Sequence, residues 1–339
     1  MTLKGMPESR NRLWAYLALV VLVAASSRLL VGAGAAQEPN TSRDEVVQTI
    51  LRGLEEKKQS SVDMVLWIRA VATFDKEIQT ALKFGTTGFV RSFMWAQADN
   101  RMWAAAKVVE EVDLNGNKTP STRHKQSTAT DYTAWDCAAT YDGIFVFTVT
   151  PAGPESDVKG YAQIAEGWGG QPMSEIGPCM GFLGTAELLV AAVKSDAVIK
   201  CTQTTFEGAR CWYLELGPDM EGERPGVYKL WVAPDLGFTV VHEELWAEGV
   251  PRMDITRRDF VTIGVGQQAI WVPKRVTKTI RTPQKEWAQR TWRTEEFAVE
   301  KVEEGSQHNP ISGLSLESLG EGYQVADGDS VYMSGRPNQ

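Results

Sequence analysis

Several strand-like runs of this chain are apolar on both parities, and that constrains the fold more than any other feature. From Met64 to Val71, Leu66 and Ile68 alternate with Val65, Trp67 and Val71; from Ile144 to Thr150, Ile144 and Val146 alternate with Phe145, Phe147 and Val149. Successive strand residues point to opposite faces, so each run offers apolar surface above and below its sheet. A sheet built from such runs needs cover on both faces, from helices, a second layer or a ligand. The run Cys211 to Leu216 behaves differently, with Trp212, Leu214 and Leu216 on one parity against Glu215. Trp95, Trp103, Trp135, Trp212, Trp231, Trp246, Trp271, Trp287 and Trp292 all lie near strands. That aromatic load suits a hydrophobic cavity, and equally an ordinary packed core with Trp at sheet edges.

The order of the runs describes a long antiparallel meander. Ser61 to Thr73, Ser92 to Ala98, Met102 to Val109, Thr133 to Ala139 and Ile144 to Thr150 follow one another through short polar connections. Cys211 to Leu216, Tyr228 to Ala233, Gly237 to Trp246, Phe260 to Gly264, Ala269 to Thr282 and Trp287 to Glu300 continue the series. Roughly ten strands with tight turns indicate an open sheet, a sandwich or a barrel. Two helices accompany them. Ser42 and Glu45 have capping-box spacing, and Val46, Val47, Ile50, Leu51 and Leu54 then share a helical face. Thr185 to Lys194 repeats the pattern with Leu188, Leu189, Ala192 and Val193. Between the strand groups, residues 154 to 182 carry six Gly and three Pro; they are expected to form an irregular lid with a short helix near Ser156 to Glu166.

The N-terminus reads as a targeting segment. Lys4, Arg10 and Arg12 precede an apolar run from Leu13 to Ala25, and Ala33-Gly34-Ala35 offers a cleavage site. The 13-residue run is shorter than the roughly 20 residues that span a bilayer, although Arg28 and Leu29 to Val31 leave an uncleaved anchor open. No Cys follows it to form a lipobox. Residues 1 to 36 are therefore expected to be a signal peptide or anchor, 37 to 327 a single domain, and 328 to 339 a polar tail. Removing residues 1 to 35 takes away four basic residues and one acidic residue, moving the formal charge from -8 to -11. Such a chain has no broad attraction for nucleic acid. Contact with a membrane is expected only through the N-terminal segment, if it is retained.

Export makes Cys137, Cys179, Cys201 and Cys211 candidates for two disulfides with three possible connectivities, buried thiols being the alternative. Cys201 and Cys211 flank a hairpin turn at Glu207-Gly208, and a bridge between them requires that they sit opposite each other. Catalytic and metal signatures are missing. His124, His242 and His308 have no His or Cys at ligand spacing, and no C-x-x-C, G-x-S-x-G, P-loop or H-E-x-x-H occurs. Asp113 to Lys118 has Lys118 where a calcium loop needs Gly, so it reads as a turn. Of His242, Glu243 and Glu244, only His242 and Glu244 can share a face, and a solvated rim is the expected place for them. No cofactor is expected. Asn40 and Asn117 head glycosylation sequons.

The segment Gly226-Val-Tyr-Lys-Leu-Trp-Val-Ala-Pro-Asp-Leu-Gly-Phe238 is similar to the strand, Asp/Pro turn, Gly, strand hairpin of the LolA/LolB-like lipoprotein-sorting superfamily. Ile270-Trp-Val-Pro-Lys274, the helix and strand Asp44 to Thr73, and the ending Leu319-Gly-Glu-Gly-Tyr-Gln-Val-Ala-Asp327 resemble the same superfamily over residues 42 to 330. The resemblance implies an α+β fold: a strongly curved antiparallel half-barrel of roughly ten strands, closed by two or three helices over an apolar cavity. It also implies a non-enzymatic binding protein, periplasmic or extracellular, whose ligand is a lipid or an acylated polypeptide, with roles in lipoprotein transport or envelope lipid sensing. A greasy cavity suffices for such a ligand, because each buried CH₂ contributes about 0.8 kcal/mol. The expected lining is Leu66, Ile68, Trp95, Phe145, Phe147, Trp212, Leu214, Tyr228 and Leu230. Two other readings compete: an envelope interaction protein with a filled core and a protein partner, and an enzyme built on His242 and Glu244.

Overall fold

The computed structural model describes residues 42–58, 63–83, 85–98, 101–121, 135–142, 145–152, 156–166, 172–180, 185–217, 226–264, 269–282, 290–328 and 330–335. The expected targeting segment lies outside them. No helix among the described residues is long and apolar enough to cross a membrane.

Among the described residues, sixteen strands form one curved, unclosed sheet, against the expectation of about ten. The chain lays them down as two meanders that meet at the centre. Strands β1 (Met64–Phe74), β2 (Thr86–Ala98), β3 (Arg101–Asp113), β5 (Cys137–Tyr141), β6 (Phe145–Pro151) and β7 (Gly160–Glu166) run outward, with β4 (Lys118–Pro120) beside β3. The chain then restarts at the opposite edge and returns through β8 (Val198–Phe206), β9 (Ala209–Leu216), β10 (Gly226–Ala233), β11 (Thr239–Ala247), β12 (Val250–Ile263), β13 (Ile270–Arg281) and β14 (Thr291–Glu304). β14 pairs with β1 from Met64↔Glu304 to Phe74↔Arg293. All of these pairs are antiparallel. The exception in the sheet is β15 (Tyr323–Asp327), which lies parallel to β7 and carries β16 (Ser330–Met333) at the edge.

The additional strands are elements that only tertiary pairing creates. The expected helix at Ser156 to Glu166 is replaced by β7, held between β6 and β15. Gly160 permits that packing: a Cβ there would lie 2.7 Å from the Thr150 carbonyl and 2.7 Å from the Tyr323 ring. Part of the expected polar tail is β16. Register shifts at Trp67/Ile68, Val90/Arg91 and Trp231/Val232 mark bulges, which bend and twist the strands that carry them.

Both faces of the sheet are covered, by different means. On one face, called here the helix face, lie α1 (Arg43–Lys58), α3 (Met173–Met180) and α4 (Thr185–Lys194); the short α2 (Lys76–Ala81) follows β1. Val46, Val47, Ile50 and Leu54 of α1, Met173 and Ile176 of α3, and Leu189 and Ala192 of α4 join one core with Leu66, Phe93, Trp95, Leu214 and Leu230. The α1 seat is tight, since a Cβ on Gly53 would fall 2.2 Å from the Phe238 ring. Phe238 ends the hairpin segment whose Pro234–Leu236 turn closes on left-handed Gly237. The outer face has a second core, where Ile311, Leu314 and Leu319 from the segment after β14 cover Val65, Met94, Trp103 and Val149. The two-parity pattern thus resolves into two cores on opposite sides of one sheet.

Candidate functional site

The helix face brings together seven of the nine expected lining residues. Leu66 and Trp95 are cross-strand partners on β1 and β2, as are Leu214 and Leu230 on β9 and β10. With Ile68 they are buried in the helix-face core, and Trp212 and Tyr228 pack half-buried against it. The other two residues do not join them. Phe147 belongs to the outer-face core, and Phe145, on the same parity, is 48% exposed. The reason is register: Val146 is the β6 residue that faces the helices, so its neighbours turn away. Leu66, Trp95 and Leu214 are wholly buried beneath the helices. Three grooves formed by described residues, of about 440, 290 and 230 Å³, include none of the nine.

The helix face also carries charge, which the strand pattern had not singled out. Arg91 on β2 donates to Glu175 of α3 at 2.6 Å, tying the helix to the sheet. The Arg257 side chain on β12 is fully buried; it donates to the Val240 carbonyl at 3.0 Å and lies 3.4 Å from a Glu243 carboxylate oxygen. On β13 and β14, Glu295 is paired with Arg293 and sits 3.9 Å from the Lys278 ammonium. The side chains of Lys278, Glu295 and Arg293 are only 13%, 7% and 17% exposed. The Arg293 guanidinium lies over Phe74 and Phe89, at 5.4 and 5.2 Å from their ring centres. A signal for these groups was present in the sequence. Lys278 shares its parity with Val276, and Glu295 shares its parity with Phe297, so charge falls on core-facing positions.

His242 is not on a solvated rim. It is 9% exposed, with Nδ1 2.9 Å from the Thr256 hydroxyl and Nε2 3.3 Å from Glu244. Its ring stacks on Phe206 at 4.6 Å, and Trp231 lies 4.7 Å away. Glu244 accepts a 2.6 Å bond from the Trp246 indole as well, so the cluster is internally bonded on the outer face. None of the three grooves includes His242 or Glu244. Glu243 points to the helix face, as alternation requires.

No disulfide joins Cys201 and Cys211, correcting the candidate bridge; both are free thiols. Glu207 and Gly208, at φ 47° and 85°, form a two-residue turn, so Cys211 opposes Thr204 and Cys201 opposes Leu214. A three-residue offset also places the two thiols on opposite faces, Cys201 against the helix-face core and Cys211 with Ala233 and Val241. Burial pushes the Cys137 and Cys201 thiols up to about 11. The side chain of Cys179 lies outside the described residues. Among the described residues no cluster of His, Cys, Asp or Glu could hold a metal ion.

The chain matches no family model and no curated protein. In structure it is similar to an outer membrane lipoprotein-sorting protein domain from Vibrio parahaemolyticus, at 9% identity and TM-score 0.41, over 79% of this chain and 95% of that one. It is also similar to a LolA superfamily protein from Nitrosomonas europaea, at 12% identity and TM-score 0.40, over 78% and 96%. A DUF1329 family protein from Desulfovibrio piger shares 10% identity at TM-score 0.38, over 79% and 95%.

Proposed function

We propose that the protein is an exported, non-enzymatic binding protein that holds a lipid or an acylated polypeptide between the helix face of its sheet and α1, α3 and α4. The observation that carries this reading is the make-up of that cover. Seven of the nine expected residues share a face roofed by helices of 16, 8 and 10 residues rather than by a second sheet. Short amphipathic helices can separate from a sheet at the cost of their own apolar contacts, and an acyl chain returns about 0.8 kcal/mol per CH₂ buried. Leu66, Trp95 and Leu214 are wholly buried, so a ligand chain reaches them only where the helices move off the sheet. Delivery to the envelope rests on the N-terminal Lys4 to Ala35 pattern.

Native mass spectrometry of purified protein, together with uptake of a fluorescent fatty acid, tests the proposal. A co-purified lipid, or saturable uptake weakened by Leu230→Glu, supports it. A protein that emerges empty and takes up nothing refutes it. That result would favour the second reading, an envelope interaction protein whose helix-face core is permanently filled, which the complete burial of the same three residues supports.

A further inference from the structure

Charged side chains are rarely buried unless they are paired, and few polar groups in an apolar site usually fix the orientation of its ligand. Among the helix-face charges, the group on β13 and β14 is not balanced. Arg293 and Lys278 share one carboxylate, Glu295. Lys278 is in contact with it only at 3.9 Å, and its ammonium makes no hydrogen bond among the described residues. Arg293 spends its terminal nitrogen on Glu295 while its buried Nε has no partner. Among the described residues, two cations around a single carboxylate leave one positive charge uncompensated there, beside the unpaired Arg293 Nε–H. The register continues into the apolar face: Glu295 is flanked on its parity by Phe297, whose ring lies 6.1 Å from that of Phe93, and Phe74 and Phe89 sit beneath Arg293. The small residual exposure of Lys278 and Arg293 keeps the group in reach of solvent.

Resting on the proposed lipid-binding function, we infer that the ligand is an anionic amphiphile whose carboxylate or phosphate head binds Lys278 and Arg293, with its tail on the apolar helix face beyond Phe297. Glu295 holds the two cations in place and opposes the incoming anion. Removing its charge therefore strengthens binding of the head.

The test uses the full chain and 11-(dansylamino)undecanoic acid beside its methyl ester, titrated by fluorescence. The acid is expected to bind about tenfold more tightly than the ester, the scale of one charge-assisted hydrogen bond. Lys278→Met should bring that ratio to within about threefold, Lys278→Arg should restore it, and Glu295→Gln should raise it. Competition by oleic acid, lysophosphatidic acid and oleyl alcohol separates the head groups. Displacement by either acid ahead of the alcohol supports the inference, and the better acid identifies the head. Equal binding of acid and ester, or a ratio indifferent to Lys278→Met and Glu295→Gln, overturns it while leaving a neutral-lipid reading intact. Failure of both probes to bind overturns the lipid-binding function itself.

Discussion

Removing one member of the Arg257–Glu243 pair tests whether the helix face closes as described. Glu243→Gln keeps the size and one acceptor of the side chain but deletes its charge. The Arg257 guanidinium, wholly buried, then retains the Val240 carbonyl at 3.0 Å and loses the carboxylate at 3.4 Å. Removing one charge of a buried pair costs about 3 to 5 kcal/mol. For a chain of this size, where 1 kcal/mol corresponds to about 2 °C, that is a fall in Tm of about 6 to 10 °C. The paired change Arg257→Met with Glu243→Leu removes both charges from an apolar neighbourhood that includes Val240 and Ile255. It should return to within about 1 kcal/mol of the parent, because apolar replacement of a buried pair is commonly neutral or favourable. Urea unfolding followed by both tryptophan fluorescence and circular dichroism gives the three stabilities and checks that the probes coincide. A Glu243→Gln cost below 1 kcal/mol, or a double variant as unstable as the single, would refute the reasoning by showing that Arg257 does not depend on this carboxylate.

Gly53→Ala should destabilise the fold by about 1 to 3 kcal/mol despite the better helix propensity of Ala, because its Cβ would meet the Phe238 ring at 2.2 Å; a gain in Tm would contradict the seat described for α1. Asp75 caps α2 through the Glu77 and Ile78 N–H groups and pairs with Arg290, so Asp75→Ala should cost about 1 kcal/mol in urea unfolding at neutral pH. Burial raises the Asp75 pKa, but the Ile78 bond and the Arg290 guanidinium outweigh it and hold the carboxyl below its ordinary 3.8. Its contribution is therefore complete above pH 4 and disappears as the pH falls through the lower folded value, so parent and variant should converge in acid and differ at pH 7. Unreduced protein in denaturant should yield Cys201 and Cys211 as free thiols to Ellman's reagent. In the native state Cys201 should react slowly at pH 8 and faster as the pH approaches its raised value of about 11; a reductant-dependent change in Tm would argue for a bridge.

The helix α1 and most of the central strands were legible because their evidence is local. Val46, Val47, Ile50 and Leu54 form a helical stripe in any fold, and all four are buried here. The two-parity runs of β1 and β6 likewise announced cover on both faces, and the structure supplies it with helices on one side and Ile311, Leu314 and Leu319 on the other. The candidate site was legible only in part. Leu66, Trp95, Leu214 and Leu230 meet because two meanders, each readable alone, face the same helices, whereas Phe145 and Phe147 fall on the parity that Val146 excludes.

The amino-acid sequence by itself determined periodicity, and through it the type of α1 and of the central strands and the demand for apolar cover on both faces of the sheet. Tertiary structure alone decided register and partnership. β7 and β16 are strands because β6 and β15 offer them backbone partners, and Cys201 misses Cys211 because a two-residue turn shifts the pairing by three positions. Register also set which charges are buried together on the helix face, bringing Lys278 of β13 opposite Glu295 of β14. A hydrogen-bond ladder is non-local, and slipping it by one residue exchanges the two faces of a strand, so no local pattern can specify which side chains meet across it.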